Sequence, residues 1–508
     1  MTTRISHTAA REDEVITYLT LLREGVRRSG NWKLGLASIP PATLITRRRT
    51  VIHVSHQFGH RRSQPGGYGW VTCVGFGCAV GVCVVFGGAF MTDLVLRGAA
   101  IMDELGGFTS PSDVHVRDGV VVATGSNIVA PAGAEQIDCA DLWLMPGVFD
   151  CHTHVAWSSF NEHELLKTPL SYRNLETGVN ARKTFEAGVT FVRDAGIADA
   201  GIRDAIRDGV IVGPRMQVSI LPISQTGGHS DGFLIGPGFE LSVEYGAPDY
   251  PGRPPFLVDG VDEMRKAVRL MIRSGADVIK ICTTGGVFEG EAAVEICELS
   301  EDEVQTAVFE ATKAKKFVMA HAIGGPGLDI ALAAGVRSIE HGVLMTEQQA
   351  AAMAAAGTYL VPTLAIYQEV ATFADNGTLP AAVASSAWAL RERLGEAVRI
   401  AKAHGIPIAL GSDFGSRDQH GRNLIEIDWL HQAGLTVEES LLAATSVGAE
   451  LCGVSGRYGR IAPGHVFDAL LLRRDPSNTS IFRDSDYAAA VFKGGLAHVV
   501  DSAEMAGR

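Results

Sequence analysis

Residues 144–154 read Leu144-Met-Pro-Gly-Val-Phe-Asp-Cys-His-Thr-His154, an apolar, β-prone run that ends in two histidines two positions apart. On a strand, residues i and i+2 point to one face, so His152 and His154 can both reach a single metal ion. Two partly exposed histidines at a strand end would read the same way. The surrounding sequence decides between these readings.

Downstream of this run, strand and helix signals alternate. Further short apolar runs rich in β-formers occur at 189–195, 216–223, 277–283, 317–322, 337–343, 358–364 and 406–413, making eight with 148–155. Most are separated by amphipathic, Ala/Glu/Arg-rich stretches, as at 261–274, 300–315, 347–356 and 381–404. Buried strands alternating with helices mean an α/β fold with a parallel sheet, and eight such units predict a closed (β/α)8 TIM barrel. An open doubly wound sheet is the alternative. No Gly-x-Gly-x-x-Gly follows the first run and there is no P-loop, so nothing supports nucleotide binding.

Polar residues collect where a barrel does its chemistry, at the C-terminal strand ends. The fourth run carries Val278-Ile-Lys280, the fifth ends Met319-Ala-His321, the sixth Ile339-Glu-His341 and the eighth Gly411-Ser-Asp413. Lys280 is flanked by Val278, Ile279 and Ile281, where an unpaired ammonium is costly. It therefore has an ion-pair partner, a lowered pKa, or a changed chemical identity. His321 and His341 taken singly are ordinary core histidines; at the level of His152 and His154 they become candidate ligands. Asp413 is either the N-cap of a following helix or a ligand that also takes a proton from metal-bound water. Cys151 alternates with its histidine neighbours and points away from them. Cys282 shares a face with Lys280, and both cysteines read as small buried hydrophobes.

Both flanks of the barrel pattern are β-rich. Upstream, 93–98 alternates and 113–125 reads as a hairpin turning on Asp118-Gly119; downstream, 459–472 and 489–495 give more strands. The expected organisation is a small β-sandwich from 91–145 and 457–501, with the barrel at 146–456 inserted. Residues 1–90 are an extension outside this fold. They carry 11 Lys/Arg against 4 Asp/Glu and a charge-free Gly/Val/Cys run at 70–90, just long enough to span a bilayer. Five glycines make that run a weak helix, so a membrane partner is not expected, and a start at Met91 explains the arm more simply. The whole chain is 508 residues with net charge −13 and 46% hydrophobic residues, which excludes bulk disorder and argues against a nucleic-acid partner. Eight cysteines are too sparse for a disulfide scaffold and suit unpaired thiols in the cytoplasm.

Taken together, these motifs resemble the amidohydrolase superfamily, in its binuclear branch with a carboxylated lysine, across about residues 91–501. The resemblance implies His152 and His154 as ligands of the more buried metal and Lys280, carboxylated by CO2, as the bridge. It implies His321 and His341 on the second metal and Asp413 as ligand and proton carrier. Two divalent ions, zinc first, are the implied cofactors, and a homo-oligomer is the implied assembly. Ser224-Gln-Thr-Gly-Gly-His-Ser-Asp-Gly232, Val258-Asp-Gly-Val-Asp-Glu263 and Thr283-Thr-Gly-Gly-Val287 are similar to the imidazolonepropionase-like group with its Xaa-Pro and Xaa-Arg dipeptidases and ochratoxinase. There such loops line the substrate pocket. His229 is then a candidate for holding the substrate carbonyl or its oxyanion, against a turn histidine bonding its own loop. Tyr245 is a candidate substrate-carboxylate contact, against a plain surface tyrosine.

One departure shapes the expected substrate. The fifth run reads His321-Ala-Ile323, where dipeptidases of the group have a second histidine. That leaves room for a non-peptide amide, carbamate or urea beside a dipeptide-like small molecule. Two other readings stand: a cyclic amide hydrolase or deaminase, against which Lys280 counts, and a scaffold without metal.

Overall fold

The computed structural model describes residues 93–159, 162–231, 252–289, 294 and 296–500, with three strands among the first ninety residues. The chain divides into two units, Met1–Met91 and Thr92–Arg508. In the first, Thr50–Gln57 pairs antiparallel with Thr2–Ser6 and with Thr43–Thr46. The apolar run at 70–90 lies outside the described residues. Among those described, no helix is long and apolar enough to cross a membrane.

The second unit begins with β1 (Asp93–Ile101), β2 (Ser112–Arg117), β3 (Val120–Gly125), β4 (Glu135–Asp138) and β5 (Trp143–Pro146). The β2–β3 turn falls on Asp118-Gly119 at φ 50° and 76°, the double positive φ that a two-residue hairpin requires. β5 pairs antiparallel with Ala469–Leu472, so one eight-stranded sheet takes strands from both ends of the unit. Leu94, Leu96, Val114, Leu144, Phe467, Leu471 and Phe492 form its own apolar core.

Between these flanks the fold is α/β. Strands β6 (Val148–Thr153), β7 (Val189–Asp194) and β8 (Arg215–Val218) form one parallel sheet. Strands β9 (Ile279–Cys282), β10 (Val318–Ala322), β11 (Ser338–His341) and β12 (Tyr359–Val361) form another. Ile223 joins the two: its N–H donates to the Lys280 carbonyl and its carbonyl accepts from Cys282, both at 2.9 Å. Helices start where the sequence caps them. Ser300 and Glu303 form a capping box for Glu301–Lys313, and Thr346 and Gln349 do the same for Glu347–Ala356.

Three elements differ from expectation. The eighth run, 406–413, is extended but makes only an isolated bridge, Leu360 to Ile408, because Pro407 has no N–H to give a ladder. It still bonds on both sides. Ala409 N–H donates to Leu360, while Cys151 N–H donates to Leu410 and Asp413 N–H to the His152 carbonyl at 2.7 Å. The stretch 381–404 is two helices, Ala381–Arg393 and Glu396–Ala403, broken at Gly395 with φ 84°. A helix absent from the expectation, Leu364–Asp375, packs on the first of these over Ile323, Val343, Tyr367 and Val370.

Candidate metal centre

Strand periodicity places Asp150, His152 and His154 in register, and the eighth segment brings Asp413 across to them. Asp150 locks the two together: Ser412 donates to it through Oγ at 2.6 Å and N–H at 3.0 Å, and Asn423 donates at 2.8 Å. Asp413 Oδ1 then lies 3.3 Å from His152 Nε2 and 3.1 Å from His154 Nε2. His152, His341 and Asp413 each offer a ligand atom, all within 4.8 Å of one another. His321 lies next to them, its ring 4.6 Å from that of His341. Lys280 is 3% exposed on β9 and forms no ion pair among the described residues, so the ion-pair reading of it has no support there. Asp413 is not a helix N-cap; the residues after it run on without a helix until Ile425.

Outer hydrogen bonds set which nitrogen of each imidazole faces inward. Nδ1 is engaged in His152 by Glu340 at 2.7 Å, in His154 by the Gly196 carbonyl at 3.2 Å, and in His341 by Thr363 Oγ1 at 2.7 Å. Each of these presents Nε2. His321 is reversed, with Nε2 on the Gly285 carbonyl at 3.1 Å, so it presents Nδ1.

The electrostatics favour lone-pair donors. Burial, then neighbouring cationic groups, holds His321 well below the usual imidazole range; burial does the same to His341 against the pull of Asp413. Burial also lowers the Lys280 ammonium. For Asp413, burial works upward, but the charge and hydrogen bonds of His152 and His154 hold it well below the carboxylate range. A set of imidazoles with one ionised carboxylate fits a borderline divalent ion such as zinc.

Among the described residues, His229 makes no hydrogen bond from its ring to its own loop. Its ring stacks on His321 with centroids 4.0 Å apart, and its Nδ1 meets Glu289 at 3.2 Å. Burial would lower its pKa, but Glu289 raises it above the ordinary value. Tyr245 lies outside the described residues.

Several residues at the centre were not expected from sequence. Glu340 bonds His152 and is gripped by Arg193, whose Nη2 lies 2.9 and 3.1 Å from its two oxygens. Thr363 holds His341, and Glu289 and Glu298 hold His229 by ring and backbone. Asp194 accepts from Val155 and Gly196 N–H groups, and burial pushes it up to about 7. A signal for the first pair existed. Arg193 and Glu340 are opposite charges inside two apolar runs, and each needs the other.

A family profile described as Amidohydrolase family matches residues 143–500. An ochratoxinase of Aspergillus niger is 31% identical over 370 residues, covering 69% of this chain and 75% of the relative. An imidazolonepropionase of Syntrophobacter fumaroxidans is 26% identical over 385 residues, covering 71% and 82%. The crystal structure of a prolidase complexed with N-methylphosphonate-L-proline matches with TM-score 0.73 at 30% identity, over 80% of this chain and 99% of that one.

Proposed function

The chain belongs to the amidohydrolase family and is a hydrolase of carbon–nitrogen bonds; from that premise we propose that it is a binuclear metal enzyme cleaving an amide, peptide-like or carbamate bond in a small molecule. The observation that carries this reading is the convergence of His152, His341 and Asp413 within 4.8 Å. His154 and His321 flank them, and the buried Lys280 lies on β9, the strand paired with the one that carries His321. His152, His154 and Asp413 would hold one ion and His321 and His341 the other, with Lys280 as a carboxylated bridge. A buried amine with a lowered pKa favours that modification, since only the neutral amine attacks CO2.

Two such ions, zinc first, supply an activated hydroxide near neutral pH and a Lewis acid for the scissile carbonyl. Asp413, ionised and hydrogen-bonded to two imidazoles, receives the nucleophile's proton on a carboxylate oxygen and delivers it to the leaving nitrogen. His229, held at Nδ1 by Glu289, which favours its protonated form, and stacked on His321, donates from Nε2 when protonated to the carbonyl oxygen as negative charge develops there.

In the architecture we favour, residues 146–456 form a closed (β/α)8 barrel, with 91–145 and 457–501 as its β-sandwich and 1–90 outside both. Hydrogen bonds from the eighth segment to β12 and to β6 support closure. The five described cysteines are all free, which fits a cytoplasmic enzyme.

Metal content per chain tests the centre. Full-length protein made with zinc and bicarbonate should carry about two equivalents, falling in Lys280→Ala, and should hydrolyse a member of an amide, carbamate and dipeptide panel. One equivalent, indifferent to Lys280, would move the reading to a mononuclear deaminase-like site. No metal would end it.

A further inference from the structure

The four imidazoles of the centre are not backed alike. His154 and His321 rest on the backbone carbonyls of Gly196 and Gly285, and His341 rests on the neutral hydroxyl of Thr363. His152 alone rests on a carboxylate, Glu340, at 2.7 Å. That carboxylate is fully buried, and so is the guanidinium that holds it: the side chains of Glu340 and Arg193 are 0% and 2% exposed.

Arg193 is in turn fixed from two sides. Its Nε donates to the Cys151 carbonyl at 2.6 Å, one residue before His152, and its Nη1 donates to Ser338 Oγ at 3.0 Å. The network therefore ties β6, β7 and β11 together around one imidazole. An acceptor of full negative charge fixes the Nδ1–H tautomer of His152 and strengthens its Nε2 as a donor, more than a carbonyl or hydroxyl does. Asp413, the one carboxylate among the expected ligands, leans on the same side, within 3.3 Å of both His152 and His154.

We propose that the Arg193–Glu340 pair makes the two metal positions unequal, so that the position served by His152, His154 and Asp413 fills first and holds its ion more tightly than the one served by His321 and His341. This rests on the binuclear reading above and deepens it. Glu340 acts through His152 as a positioning residue. The centre then passes through a one-metal form whenever metal is scarce, with the second ion the exchangeable one.

The test is a titration of chelator-stripped, full-length protein with cobalt(II), followed by calorimetry and by the visible spectrum of bound cobalt, with no reliance on turnover. The expected isotherm has two steps, the first at least about tenfold tighter. Glu340→Gln should weaken the first step by about 10- to 100-fold, a loss of the size seen for such outer partners, and bring the two steps together. Thr363→Val should weaken only the second. Should Glu340→Gln fail to fold with Arg193 unpaired, the double variant Arg193→Met/Glu340→Met removes both charges and is expected to show the same loss. Two equivalents binding in a single step, or a first step untouched by the loss of Glu340, would overturn the proposal and leave the binuclear reading intact. No cobalt binding at all would overturn both.

Discussion

His341 and Asp413 hold φ angles of 72° and 55°, a region that residues with a Cβ rarely occupy. Each costs of order 1–3 kcal/mol, and such strain persists only where the surroundings over-determine it. For Asp413 those surroundings include its own N–H on the His152 carbonyl and the Asp150–Ser412–Asn423 cluster beneath it. Gly411 is part of the same constraint, since a Cβ there would lie 2.8 Å from the His152 Cβ and 2.4 Å from Val361 Cγ1. Gly411→Ala is therefore expected to destabilise the protein by about 1–3 kcal/mol, as overpacking does, and to lower its retained metal. Thermal unfolding together with metal analysis checks this; an unchanged melting temperature with full metal would mean that the segment yields freely. At this scale the candidate ligands were legible because each is a polar residue closing an apolar run. Arg193 and Glu340 were legible only as two charges inside apolar runs that each need a partner; no local pattern tells that the partner lies 147 positions away. Ile323, read as a missing histidine, is a fully buried member of the apolar cluster that also holds Tyr367, beside His341.

The helix Glu301–Lys313 shows how an element can be tied down by charge. Glu310 takes two hydrogen bonds from Arg269, at 2.9 and 3.0 Å, and one from Lys313 at 3.0 Å. These hold its carboxyl at about 2, with Arg269 the largest influence. A folded pKa below the unfolded one contributes stability that is complete above about 4.5 and is lost as pH falls toward 2. The gap in unfolding free energy between wild type and Glu310→Gln should thus be constant above pH 5 and close between about pH 4.5 and 2. Urea unfolding at several pH values measures it, and a gap that ignored pH would refute the assignment. Element ends follow local chemistry when a cap is present, as at Ser300 and Thr346, and the expected spans there were close. They fail where a tertiary contact decides. The Ala/Arg/Glu pattern continues on both sides of Gly395, yet Gly395 turns left-handed and the chain there packs so close to Ala433 that a Cβ would sit 3.2 Å from it. Pro407 likewise leaves the eighth run extended without a ladder.

Across the whole second unit, one sheet fastens the unit's two ends. β5 pairs with Ala469–Leu472, which pairs with Ala488–Lys493, which pairs with Leu496–Val500. Ending the chain after residue 487 would remove the last two strands and bare the edge of Ala469–Leu472, all four of whose residues are buried. Such an edge invites pairing with other chains, so that truncation is expected to aggregate, by size-exclusion chromatography with light scattering. A monodisperse truncated protein would show that the sheet is held from its other side. The β-rich flanks were legible as strands and as one β domain around the insertion; which strands pair, across more than three hundred residues, no local pattern carries. The same pairing sets a schedule for the ribosome. Trp143–Pro146 leaves it long before Ala469–Leu472 is made, and at 5–20 residues per second the wait is on the order of tens of seconds. Throughout that interval the strand has β1 on one side only, and its other edge, with Leu144 and Met145 that end up fully buried, waits while the whole α/β region is threaded out. A faster synthesis or a chaperone held on that open edge is therefore expected to raise the yield of folded protein without changing its final stability.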